Sequence, residues 1–182
     1  MRLRSIAQFD RVNTHTMPIF VHLAPEKNVR AIRRGGIRVG EPRVSVPAGV
    51  YALPVTPHFV VSHQWIRELR RGGQRVICGV YFRIPDSELV LIGHYNQPHL
   101  EVTAARAAAI MMQAQDRLGY EVLVPRKICS FEIHRIRQLP QVIGWRYQPG
   151  SNGRPFCGCP VCVWKGEIRS RSKRERWEAQ NQ

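Results

Sequence analysis

Long apolar runs are missing from this chain. No window approaches the roughly 18 apolar residues that a membrane-spanning helix needs, and Asp10, Arg11 and Asn13 interrupt the first stretch before it builds the apolar core of a signal peptide. No membrane partner is expected, and the cytoplasm is the expected location. Acidic residues are also scarce, with 13 Asp and Glu against 28 Lys and Arg, which gives a net charge of +15. Lysine is rarer still: Lys27, Lys127, Lys165 and Lys173 are all there are, so the basic balance is arginine. Guanidinium forks suit phosphates, which makes DNA or RNA the expected macromolecular partner, with a merely basic surface as the alternative. The five cysteines of a chain expected in the cytoplasm read as free thiols or metal ligands before disulfides.

What is present is enough for one good core: 182 residues, 43% of them hydrophobic. Ile19 to Leu23 reads as a buried strand. Pro25 suits the first turn of a helix whose apolar side is Val29, Ile32 and Ile37, and Gly35-Gly36 can end it. Val50 to Val55 is a second strand. From Pro57 to Arg71, Val61, Trp65 and Leu69 fall four apart with charges on the other side, the pattern of one amphipathic helix. Val76–Ile84 and Leu89–Gly93 read as strands, Thr103–Gln115 as a packed alanine-rich helix, and Tyr120–Val124 and Ile128–Ile136 as further strands. This order predicts an α+β fold, not a regular parallel repeat. The expected division is one domain over residues 1–148 and a Cys-rich basic tail over 149–182.

Three stations along this order carry the chemistry: His22 on the first strand, Tyr51 just after Gly49 on the second, and Glu121 in Gly119-Tyr120-Glu121-Val122-Leu123-Val124. Over residues 19 to about 136 the chain resembles the ADP-ribosyltransferase superfamily, in its His-Tyr-Glu branch with the poly-ADP-ribose polymerases and the diphtheria-type toxins. The resemblance implies a split β-sheet core with flanking helices, NAD as substrate and nicotinamide as leaving group. A carboxylate at Glu121 would bind a ribose hydroxyl and stabilise the oxocarbenium-like ribose. His22 would meet the adenosine ribose, Tyr51 would stack on nicotinamide, backbone groups around Leu23 and Gly49 would hold its amide, and Ser62 resembles a serine that follows the tyrosine strand in some polymerases. Taken singly, His22 and Tyr51 are more commonly packed side chains than ligand contacts, and Glu121 can be read as a solvent-facing one.

Two departures narrow the resemblance. Gly119 stands where several arginine- or guanine-modifying transferases carry Gln or Glu, and the Ser-Thr-Ser strand motif is absent. A polar stretch, Gly93-His94-Tyr95-Asn96-Gln97-Pro98-His99-Leu100-Glu101, reads either as an acceptor-side loop, with His94 as its candidate catalytic base, or as a turn and cap leading into the alanine-rich helix. Near the C-terminus, Cys157, Cys159 and Cys162 have the spacing of a zinc knuckle, with Cys129, Cys78, His134 or a water as the fourth ligand; three ordinary thiols are the alternative. The tail beyond, with Trp164 and Trp177 among arginines, suits nucleic acid as well as it suits a solvated helix. The expectation is therefore a mono-ADP-ribosyltransferase acting on nucleic acid or a nucleic-acid-associated target, by analogy a toxin or defence effector. An RNA 2′-phosphotransferase that uses NAD and a noncatalytic zinc-bearing nucleic-acid-binding module are the alternatives.

Overall fold

β-branched and aromatic residues dominate the central runs of the chain, and these runs form strands. A computed structural model describes residues 17–42, 47–71, 73–95 and 97–145. Seven strands run β1 Ile19–Pro25, β2 Val50–Pro54, β3 Ile77–Arg83, β4 Leu89–His94, β5 Leu100–Thr103, β6 Tyr120–Val124 and β7 Ile133–Gln138. They make one sheet in the order β5-β4-β6-β2-β1-β3-β7, with every pairing antiparallel. The helices are short: α1 Val29–Gly35, α2 Phe59–Ser62, α3 Ile66–Arg71 and α4 Ala104–Gln113. The fold is α+β, as the element order predicts.

The sheet has a weak waist. β1 pairs with β3 through all seven of its residues, yet its register with β2 covers only Phe20–Pro54 and Val21–Leu53. β7, β3 and β1 thus form one wing, and β2, β6, β4 and β5 the other. α4 lays Ala104, Ala107 and Met111 on the main core, against residues such as Ile92, Val90 and Val122. Burial of a side chain the size of Met111 is worth roughly 2 to 3 kcal/mol. Thr103 caps this helix by accepting the Arg106 N–H at 3.2 Å. A smaller cluster of Ile66, Ile77 and Leu139, with Leu23 and Ile143 against it, seats α3.

Three polar clamps set the loops. Arg126, directly after β6, holds the Glu88 carboxylate at 2.6 and 2.7 Å and the Glu132 carboxylate at 2.7 and 2.9 Å. Such paired forks are geometrically specific, and they tie the end of β6 to the start of β4 and to the turn before β7. His63 donates through Nδ1 to the Phe59 carbonyl at 2.7 Å. Its Nε2 accepts the Tyr81 hydroxyl at 2.8 Å, and that hydroxyl accepts Arg137 Nε at 3.1 Å. Gln64, fully buried, donates to the Val61 and Arg117 carbonyls and accepts the Gly119 N–H.

These last two clamps correct the single helix expected over Pro57–Arg71. The apolar spacing is helical, but the chain turns at residues 63–65 between α2 and α3. His63 and Gln64 must bury polar side chains and satisfy them against other elements, and an unbroken helix would not aim both at those partners. The strand expected over Ile128–Ile136 likewise begins later, because Ser130–Glu132 form a 3₁₀ turn first. No strand is expected at β5, which begins in the last two residues of the polar stretch read as loop or cap and ends at Thr103, the residue read as opening the alanine-rich helix.

Candidate active site

His22, Tyr51 and Glu121 sit on β1, β2 and β6, three neighbouring strands at the middle of the sheet. Tyr51 is paired with Leu123, so Glu121, two residues along, shares the face of Tyr51 as its diagonal neighbour. Such diagonal pairs stand about 7–8 Å apart between Cα atoms, within reach of an aromatic and a carboxylate. Glu121 is buried, its side chain only 8% exposed.

His22 stands one residue beyond the last registered pair of β1 with β2. Its ring Nδ1 donates to the Tyr51 carbonyl at 2.7 Å, so a side chain supplies a rung where the backbone ladder stops. Burial pushes this imidazole below its ordinary 6.5, and the carbonyl bond only partly opposes that. The ring is therefore neutral near pH 7 with its proton on Nδ1, which leaves Nε2 as an acceptor. A hydroxyl is the group such a nitrogen receives.

The same shift has a consequence for stability. His22, His63 and His134 are all held below 6.5, mainly by burial. A ring less protonated in the folded state lets the unfolded chain bind more protons, so stability is lost as pH falls through about 6.5. Urea midpoints are expected to drop between pH 7.5 and 5.5; a flat or rising midpoint would contradict the burial of these rings.

The remaining expected site residues fare unevenly. Leu23 pairs with Gly79 and turns toward the small core. The Gly49 carbonyl already accepts the Gly40 N–H at 2.9 Å. A side chain at 49 would meet Leu123 Cγ at 2.6 Å and the Val124 oxygen at 2.7 Å, so this glycine serves the close approach of β2 to β6. Ser62 is fully buried, accepts the Thr56 N–H at 2.7 Å and lies 3.1 Å from the Thr56 hydroxyl. It closes the turn between β2 and α2.

His94 is also displaced from its expected role. β4 and β6 pair Gly93 with Glu121 and His94 with Tyr120, so His94 belongs to the face opposite Glu121. Its ring stacks on Tyr120 at a centroid distance of 4.0 Å. The histidine that does approach the carboxylate is His99, whose Nε2 lies 3.9 Å from Glu121 Oε2. An aromatic cluster completes this end of the strand: Trp65 donates its indole N–H to the Tyr120 carbonyl at 2.7 Å and packs on Tyr95 and Trp145. Four-residue spacing marked Trp65 as helical packing, and nothing in it signalled proximity to Glu121.

Cys157, Cys159 and Cys162 lie outside the described residues, as does the basic tail. Cys129 is partly buried before the 3₁₀ turn, where its N–H donates to Glu132 at 2.7 Å. Burial and nearby Glu26 push the Cys78 thiol up, away from the thiolate a metal takes. Among the described residues no three His, Cys, Asp or Glu side chains gather as a metal site. Compared with known proteins, the chain matches no family model, no curated protein and no solved structure.

Proposed function

We propose that the protein is an NAD-dependent ADP-ribosyltransferase, transferring one ADP-ribose to nucleic acid or a nucleic-acid-associated target with release of nicotinamide. The observation that carries this reading is the placement of His22, Tyr51 and a buried Glu121 on three neighbouring strands, with the His22 ring bonded to the Tyr51 carbonyl. These are the three residue types of the His-Tyr-Glu resemblance, on adjacent strands at the waist of the sheet. Neutral His22 would accept an adenosine ribose hydroxyl at Nε2. Tyr51 would offer its ring to nicotinamide on the face that Glu121 shares.

In the transfer, the bond from ribose C1′ to the nicotinamide nitrogen breaks and its electron pair leaves with nicotinamide. Glu121 accepts the ribose 2′-hydroxyl hydrogen bond and opposes the positive charge growing at C1′. The acceptor atom then bonds to C1′ and releases its proton to solvent. A nucleic-acid acceptor is supported by the net charge of +15 and by Arg30, Arg33, Arg34 and Arg38, all exposed on or just after α1.

The test is incubation with adenine-labelled NAD and, in parallel, single-stranded DNA, duplex DNA, RNA and protein acceptors. Nicotinamide release with label on a nucleic acid is the expected result. Absence of both NAD binding and turnover overturns the reading, and phosphate transfer from a 2′-phosphorylated RNA replaces it with the phosphotransferase.

A further inference from the structure

The ladder that presents Glu121 also delivers a second side chain to it. β4 pairs Gly93 with Glu121 on one side and Ile92 with Leu100 on the other. His99, immediately before Leu100, therefore flanks Gly93 opposite Glu121. Only the absent side chain of Gly93 lets the two approach: a Cβ there would lie 3.0 Å from His99 Cγ and 2.9 Å from the Pro98 oxygen. The imidazole lies across the bare glycine and is 2% exposed. Its Nδ1 donates to the Gln97 carbonyl at 2.9 Å, which fixes the ring and turns Nε2 toward the carboxylate. Nε2 is buried and makes no hydrogen bond, standing 3.9 Å from Glu121 Oε2.

We propose that His99 is a positioning residue for Glu121: its ring, anchored on Gln97 and laid over Gly93, holds one carboxylate oxygen so that the other is presented to the ribose. The assignment of the ribose rests on the function proposed above. With Nδ1–H committed to Gln97, Nε2 is the ring atom that faces the carboxylate. A separation of 3.9 Å is longer than a hydrogen bond, so contact requires a rotation of the carboxylate toward Nε2. Ligand contact at the other oxygen would favour that rotation. His99 is too enclosed to touch the substrate itself, so its effect falls on the chemical step, not on NAD affinity.

The experiment compares His99→Leu and His99→Gln in the full chain. For His99→Leu, kcat for nicotinamide release is expected to fall up to about 100-fold, as misplacement of a reacting group by about 1 Å does. KM and calorimetric Kd for NAD should stay within about twofold of the original, on the same division between binding and chemistry. His99→Gln places an amide N–H near the position of Nε2 and should recover most of kcat. Unchanged kcat in His99→Leu overturns the proposal, as does a loss of kcat, KM and melting temperature together that Gln does not rescue. A readout independent of NAD comes from ring ¹⁵N spectra. Glu121→Gln should shift His99 Nε2, and no shift overturns the pairing. If the shift occurs in a protein that does not cleave NAD, the pairing stands and the transferase reading falls.

Discussion

Glu121→Gln is expected to cut nicotinamide release about 100- to 1,000-fold, the usual cost of losing one preorganised electrostatic contact to a transition state. The substitution keeps shape and volume at a site that is 8% exposed. It also keeps a carbonyl oxygen able to accept from a ribose hydroxyl, so NAD affinity should change little. On the proposed transferase reading, what it removes is the negative charge opposite the developing cation, and the enclosed position would make that charge count more than it would in water. The pairings of Gly93 with Glu121 and of Tyr51 with Leu123 are backbone features, so the sheet should persist. Chromatographic nicotinamide release, calorimetric NAD binding and a thermal melt measure the three terms separately. A variant with the original rate would remove the carboxylate from the chemistry.

Gly36→Ala should destabilise the fold by about 3 kcal/mol or more, among the larger effects of any single substitution. Gly36 ends α1 at φ 79°, and a Cβ there would lie 2.0 Å from the Ile128 carbonyl oxygen. That oxygen accepts the Ile37 N–H at 2.8 Å, and Ile128 N–H returns the bond to Ile37 at 3.1 Å. Relief of the clash therefore breaks the bridge that fastens the end of α1 beside β6, and the backbone strain adds to it. The neighbouring glycine supplies the control. A Cβ on Gly35 meets nothing within 4 Å, and Gly35 closes the helix itself, so Gly35→Ala should be neutral or stabilising by about 0.5–1 kcal/mol. Urea unfolding of both variants reads the contrast directly; equal midpoints would mean that the bridge contributes nothing.

What could be read in advance follows from where side chains find their partners. Tyr120–Val124 is a strand buried over most of its length, and its apolar run gives its limits directly. Thr103 and the alanines after it announce α4 for local reasons, a cap and a good helix former. β5 is different: at four residues, Leu100-Glu101-Val102-Thr103, its alternation is too short to mark a strand, and Leu100 is 62% exposed. Its strand character comes from pairing with β4, and pairing is not a local property. The site divides in the same way. His22, Tyr51 and Glu121 stand out by residue type and order, whereas choosing between His94 and His99 requires the register that puts Gly93, and not its neighbour, opposite Glu121. At Ser62 the sequence does not choose, because a hydroxyl that closes a turn and one that meets a ligand look alike in a sequence.

The His22 ring is both a rung of the sheet and a wall of the proposed site, and the two duties are unequal in how they resist genetic drift. If the proposed reaction is this chain's own, a copy that no longer needed it would be free to lose the charge at 121, since a neutral isostere fits the same space. It would not be equally free at 22, where the imidazole closes the seam between two wings joined by only two registered pairs. Retention of histidine at this position would therefore report architecture, and the acid on β6 would be the residue that distinguishes a working descendant from a silent one.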